Sequence, residues 1–182
     1  MNPGALIDRD GTINVDEGYV AKPDELEFKP GAVEAILSLN QLGFKVAVIT
    51  NQGGVAYGYH TEADVERFHA EMSRQLASYG ARVDRFYYCP HNIKGTIKPY
   101  NVECECRKPG DAMYRQAISD LDLDPALCIA VGDKPTDLIP AIALGVSSVL
   151  LVPSEHMDDP TPEEKQFQRA ETLGSALDQL LT

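Results

Sequence analysis

The stretch Gly4-Ala5-Leu6-Ile7-Asp8-Arg9-Asp10-Gly11-Thr12-Ile13 decides how this chain is read. An apolar run ends in two carboxylates one residue apart, and a glycine turn follows. A strand that carries acids to its carboxyl end places them where open α/β sheets bind ligands. Successive strand side chains alternate faces, so Asp8 and Asp10 lean the same way if strand geometry extends to them. Two like charges that close are costly unless a cation or a shared proton relieves them. The segment asks for a metal and offers a nucleophile beside an acid.

Outward from this strand the pattern repeats, β then α. Residues 14 to 30 read as a loop broken by Gly18, Pro23 and Pro30. Ala32 to Leu42 is helical, with Val33, Ile36, Leu37 and Leu39 as its apolar stripe and Gly43 at the C-cap position. Phe44 to Ile49 is a second strand that runs into a polar loop, Thr50-Asn51-Gln52-Gly53-Gly54. Thr61 caps a long helix reaching about Tyr79. Further strands are expected at 83–88, 128–131 and 147–152, and further helices at 111–121, 136–144 and 165–181. Residues 153–164 read as acidic loop. Strands alternating with helices imply right-handed crossovers and a mainly parallel sheet covered on both faces. The whole chain, 1–182, reads as a single domain. The connection 89–109 lacks periodicity and is too long to be ordered without a reason of its own.

Composition bounds the function. The 182 residues suit one sizeable core. With 43% apolar and 24% charged residues the chain has ordinary soluble character. A net charge of −12 argues against a nucleic-acid partner held by bulk charge. No run is apolar enough to span a membrane, and the amino terminus lacks the features of a signal peptide. Both point to the cytoplasm, where thiols stay reduced.

Each remaining motif is modest by itself. Gly132-Asp133-Lys134 follows a buried-looking strand, yet Asp133 could be a helix N-cap, and Asp137 could simply favour a helix amino end. Thr50-Asn51 alone reads as a turn, and Arg107-Lys108 as a solvated charge pair. Together they set carboxylates, a hydroxyl and cations at strand ends and helix starts, the apparatus of Mg²⁺-assisted phosphoryl chemistry. Cys89-x-His91 and Cys104-x-Cys106 bracket the long connection with a Cys₃His set, a normal closed zinc site. A closed site has no open coordination position, so the zinc is expected to be structural and to position Arg107 and Lys108. Cys128 reads as a small core residue. His60, His69 and His156 have no matching partners; His69 reads as a helix-face residue and the others as loop residues.

Asp8-Arg9-Asp10-Gly11-Thr12, Thr50, Lys108 and Gly132-Asp133 match, in order, the four motifs of the haloacid dehalogenase superfamily of phosphohydrolases, which the chain resembles from residue 5 to about 150. The resemblance implies a Rossmann-like three-layer sandwich without a large cap domain. Thr50-Asn51-Gln52 with Cys89, His91, Cys104 and Cys106 narrows it to the group of histidinol-phosphate and D,D-heptose 1,7-bisphosphate phosphatases. Gly53-Gly54-Val55-Ala56 leans toward the heptose enzymes, although Tyr57 stands where those commonly have arginine.

These motifs imply a mechanism. Mg²⁺ would be held by the Asp8 carboxylate, the Asp10 main-chain carbonyl and the Asp133 carboxylate. Asp8 attacks phosphorus to form an aspartyl-phosphate, and Asp10 protonates the leaving oxygen and later deprotonates the hydrolytic water. Thr50 binds phosphoryl oxygens, Lys108 neutralises transition-state charge, and Arg107 suits a second phosphate. The resemblance adds Asp16, Glu17, Gly18, Tyr19, Asn51, Gln52, Gly53 and Lys134 as substrate contacts. The leading expectation is a monomeric phosphatase that removes the 7-phosphate of D-glycero-D-manno-heptose 1,7-bisphosphate. A phosphatase for another small phosphorylated sugar or alcohol, such as histidinol phosphate, and a non-catalytic zinc-stabilised interaction domain are the alternatives.

Overall fold

All four residues of the first strand, β1 (Gly4–Ile7), are buried, as a strand covered on both faces requires. The computed structural model describes residues 1–151 and 166–181. The other strands are β2 (Lys45–Asn51), β3 (Arg85–Cys89), β4 (Ile129–Gly132), β5 (Ser147–Leu151) and β6 (Gln168–Ala170). They form one sheet in the order β3-β2-β1-β4-β5-β6, and every neighbouring pair is parallel. The helices are α1 (Ala32–Gln41), α2 (Gly54–Tyr57), α3 (Glu62–Ser78), α4 (Ala112–Asp120), α5 (Pro135–Ala143) and α6 (Leu173–Leu180). Among the described residues no helix is long and apolar enough to cross a membrane.

Strand alternation divides the core into two layers. Ala5, Ile7, Val46, Val48, Ile129 and Val131 face one side, where they pack with Ile36 and Leu39 of α1, Phe68, Met72 and Leu76 of α3 and Leu177 of α6. Leu6, Ala47, Ile49 and Ala130 face the other, against Met113, Tyr114 and Ala117 of α4 and Ala141 of α5. Thr61 caps α3 as expected: its side chain accepts from the Asp64 amide, and Asp64 answers in a capping box. Gly43, at φ +82°, ends the first helical segment in a conformation that costs glycine little.

Three expectations are corrected. The carboxyl-terminal segment is not one helix from 165. It holds the strand β6, and α6 starts only at Leu173, capped by Thr172. Gln168 and Arg169 are exposed and only Ala170 is buried, so this edge strand shows no apolar alternation to read. Thr50 and Asn51 lie inside β2, paired with Tyr88 and Cys89, because the ladder with β3 continues past the apolar run. The expected loop after them winds into the short α2. The expected loop at 153–164, with His156, lies outside the described residues.

Candidate active site

The strand order reverses between β1 and β4, since β1 continues to β2 on one side and β4 to β5 on the other. A crevice opens at such a switch point, outside the carboxyl ends of the strands. Asp8 leaves β1 with its amide bonded to the Val131 carbonyl of β4 (2.9 Å), and Asp133 follows β4. The topology alone therefore sets these acids side by side. Gly11 turns at φ +79°, and a Cβ there would stand 2.4 Å from Asp133 Oδ2, so the turn needs glycine to close over the acid. Gly132 does the same for Asp137, whose carboxylate would meet a Cβ at 2.5 Å.

Asp8, Asp133 and Asp137 are all buried, with one carboxylate oxygen of each within 4.8 Å of the others. Lys108, 4% exposed, reaches into this cluster. Its Nζ lies 2.7 Å from Asp8 Oδ1, 2.7 Å from Asp137 Oδ1 and 2.7 Å from the Ile49 carbonyl, which uses all of its N–H donors. Burial, then the Asp137 charge, push the Asp8 carboxyl well above its usual range, while Lys108 pulls it down. Burial would lower the Lys108 ammonium, but Asp137 and Asp8 outweigh it and keep the charge in place. Lys134 behaves alike, with Asp133 and Asp8 reversing the effect of burial.

Asp10 stands apart from that cluster and accepts four N–H bonds. The Arg9 fork gives Nε to Oδ1 and Nη2 to Oδ2, both at 3.0 Å. Asn14 Nδ2 reaches Oδ1 at 3.0 Å, and Gln52 Nε2 reaches Oδ2 at 2.8 Å. Gln52 also donates to Thr50 Oγ1 at 2.9 Å, tying the end of β2 to the acid. Asn51 clasps the main chain of Lys108: its Nδ2 donates to the Lys108 carbonyl and its Oδ1 accepts from the Lys108 amide.

A cavity of about 340 Å³ opens above these groups. Asp8, Asp10, Asp16, Gly18, Tyr19, Asn51, Gln52, Gly53, Arg107 and Lys134 line it, with Asp137. Thr50, Lys108 and Asp133 are buried and do not line it. Glu17 is exposed and does not line the cavity. Tyr19, at φ +54°, sets its ring edge-on to Tyr57 and Tyr59 (5.9 and 4.8 Å) at the rim.

Cys89, His91, Cys104 and Cys106 converge as their spacing predicts. Their sulfur and Nδ1 atoms lie within 4.8 Å of one another, and all three cysteines are free thiols. Arg107 leaves this cluster with Nη1 on the His91 carbonyl at 3.2 Å.

Sequence reasoning missed three residues. Asp137 was read as a helix-end acid, yet it pairs with Lys108; its place one turn after Asp133 was the available signal. Arg9, between the two motif acids, is fully buried and grips Asp10. His69 lies on a face of α3 as expected, but that face is buried: the residue is 6% exposed, with Nε2 3.2 Å from Arg9 Nη1.

Known proteins resemble the chain across this whole framework. A protein from Escherichia coli O6:H1 named D-glycero-beta-D-manno-heptose-1,7-bisphosphate 7-phosphatase is 41% identical over 150 residues, 82% of this chain and 79% of that one. A Haemophilus ducreyi protein of the same name is 42% identical over 148 residues, 81% of each. The crystal structure of D,D-heptose 1,7-bisphosphate phosphatase from B. bronchiseptica, complexed with magnesium and phosphate, superposes with a TM-score of 0.80 at 32% identity, over 98% of both chains. The family model for haloacid dehalogenase-like hydrolases matches residues 4–145, from β1 to the end of α5. The chain belongs to the haloacid dehalogenase-like hydrolase family.

Proposed function

We propose that this chain is a Mg²⁺-dependent phosphomonoesterase that removes the 7-phosphate of a D-glycero-D-manno-heptose 1,7-bisphosphate. The observation that carries the reading is the buried Asp8–Lys108–Asp137–Asp133 cluster under a cavity, with Asp10 held separately beside it. The like names of the relatives support the sugar.

The acid set suits a divalent cation. Lys108 offsets one of three buried carboxylates, and half-buried Lys134 offsets a second in part. The remaining negative charge and the raised Asp8 carboxyl both call for a hard cation with oxygen ligands. Asp8, Asp133 and the Asp10 main-chain carbonyl would hold it, with Asp137 beside them. When bound, Mg²⁺ would lower the charge repulsion between the carboxylates and an incoming phosphate.

Asp8 is the nucleophile and forms the aspartyl-phosphate. Lys108, with its N–H donors engaged, offsets the charge that develops on the phosphoryl group through its own positive charge beside Asp8, while Thr50 and nearby amides serve as donors. Asp10 gives its proton to the leaving oxygen, then accepts one from the hydrolytic water. Arg107 and Lys134, on the cavity wall, receive the rest of an anionic substrate, and a second phosphate suits the Arg107 fork. Asp16, Gly18, Tyr19, Asn51, Gln52 and Gly53 complete the wall; Glu17 flanks it from outside. All of these groups come from one chain, which supports the reading of a monomeric, single-domain enzyme.

The Cys₃His cluster would hold a structural Zn²⁺, since three thiols and an imidazole make up a complete zinc ligand set. It fixes the loop 89–109 and through it Arg107 and Lys108. We propose a cytoplasmic location, which the four free thiols support.

Asp8→Asn tests the core of this reading. Phosphate release should vanish while the fold and zinc content persist; turnover within tenfold of wild type would refute the nucleophile. A kcat/KM panel of heptose 1,7-bisphosphate, histidinol phosphate and sugar monophosphates tests the substrate. Preference for histidinol phosphate would overturn it.

A further inference from the structure

We infer that His69 is a positioning residue for the acid/base carboxylate, acting on Asp10 through Arg9. The inference rests on the role proposed above for Asp10.

Arg9 is fully buried, so its position is set by what it touches rather than by solvent. Its Nε and Nη2 fork holds Asp10. Such a fork transmits orientation: if the guanidinium plane turns, both carboxylate oxygens turn with it. Three contacts fix that plane. Nη2 also donates to the Val20 carbonyl at 2.7 Å. The guanidinium carbon sits 4.4 Å over the Phe68 ring. Nη1 meets His69 Nε2 at 3.2 Å.

The third contact is chemically specific. Guanidinium has no lone pair to accept with, so His69 Nε2 must accept and the ring proton must sit on Nδ1. The ring cannot swing away, because it stacks on Phe86 of β3 at 4.4 Å and 14° and meets Tyr88 edge-on at 5.8 Å. Burial, with the neighbouring Arg9 charge, lowers the imidazole to about 3, so the acceptor persists across the working pH range. His69 thus joins α3 and β3 to the loop after β1, and its lone pair sets the far edge of the guanidinium whose near edge holds Asp10. Losing it would leave a buried N–H without its acceptor, and the group would re-aim to find another.

The consequence falls on proton transfer to the leaving oxygen. An alkoxide needs that proton, whereas a nitrophenolate leaves without much help. kcat/KM reports steps only up to phosphorylation of Asp8, so it isolates this event from the later hydrolysis. His69→Phe keeps the ring stack and removes the acceptor; His69→Gln keeps an acceptor oxygen. General acid catalysis is worth roughly 10²–10⁴-fold, and a misaimed acid forfeits part of it. His69→Phe should lower kcat/KM about tenfold for an alkyl phosphate monoester and less than about twofold for p-nitrophenyl phosphate, with KM for the alkyl ester nearly unchanged. His69→Gln should recover most of the loss. An equal loss on both esters, no loss on either, or a glutamine variant no better than phenylalanine overturns the inference. Asp10→Asn in the same assay separates the two levels. If Asp10→Asn discriminates between the esters and His69→Phe does not, the relay alone is wrong. If Asp10→Asn fails to discriminate, the acid assignment is wrong and the relay falls with it.

Discussion

Lys108→Met is the most informative single change, because it removes the one fully buried cation of the acid cluster and keeps the length of its stem. Nζ makes three contacts at 2.7 Å: Asp8, Asp137 and the Ile49 carbonyl. Methionine replaces none of them. Breaking a buried pair by deleting one partner costs about 3–5 kcal/mol, since the other charge stays buried and uncompensated. Here two carboxylates lose their partner, with Asp133 close by. In a domain of this size each kcal/mol moves Tm by about 2–4 °C, so the midpoint should fall by about 6–20 °C in a chelator. A divalent cation binds the native cluster and not the unfolded chain, so it stabilises in proportion to its affinity. The variant cluster is one charge more negative, and the Mg²⁺-induced rise in Tm should be larger in Lys108→Met than in wild type.

Two assays read this out: thermal melts in EDTA and in millimolar Mg²⁺, and steady-state phosphate release. In the second, losing the cation proposed to offset developing phosphoryl charge should cost about 10²–10³ in kcat even where Mg²⁺ restores the fold. A variant whose metal-free Tm stays within about 2 °C of wild type would refute the charge accounting. So would a Mg²⁺ response no larger than that of wild type.

Three further outcomes are expected. Removing zinc with a strong chelator under reducing conditions should release about one ion per chain and depress activity, since the His91 carbonyl would no longer hold Arg107; retained activity after full release would exclude a structural role. Gly11→Ala should cost about 1–2 kcal/mol for its left-handed backbone alone and weaken Mg²⁺ binding by displacing Asp133, read by melts at graded Mg²⁺; unchanged Mg²⁺ dependence would remove the turn from the site. His69 titrates far below its ordinary 6.5, at about 3, so the unfolded chain takes up this proton first. The corresponding stability is whole above about pH 6.5 and is lost as pH falls toward about 3. His69→Phe should flatten that limb of the Tm–pH curve, and an unchanged slope would show that the ring is not buried as a neutral group.

The sheet was legible because its strands are apolar on both faces and the helices between them carry apolar stripes, as at Ile36 and Leu39 of α1. It failed to show where that signal stops. β6 buries only Ala170, and the last two residues of β2 are polar although the ladder continues through them. The Cys₃His convergence was legible for the opposite reason: the ligand types are rare, and their paired spacing survives without periodicity. Asp137 was not, since an acid in the first turn of a helix is explained by the helix dipole alone. Only the close approach of Gly132, and a lysine arriving from another segment, give it a second role.

Lys108 shows why such a residue cannot be read locally. Nothing in Cys106-Arg107-Lys108-Pro109 distinguishes a buried ammonium from a solvated one, and solvation is the usual state of lysine. Its depth is decided elsewhere. Asn51, at the end of β2, clasps both polar groups of the Lys108 main chain, and Cys106, two residues earlier, belongs to the thiol cluster. These two anchors fix the backbone, and the side chain then meets Ile49, Asp8 and Asp137. The ammonium stays charged because two carboxylates outweigh its burial, and those carboxylates stand there because β1 and β4 meet where the strand order reverses. A mutation at Asn51 should therefore resemble a weak Lys108 mutation more than a lost substrate contact: kcat should fall more than KM rises. If Asn51→Ala raises KM and spares kcat, its amide serves the substrate, and the clasp on Lys108 is incidental.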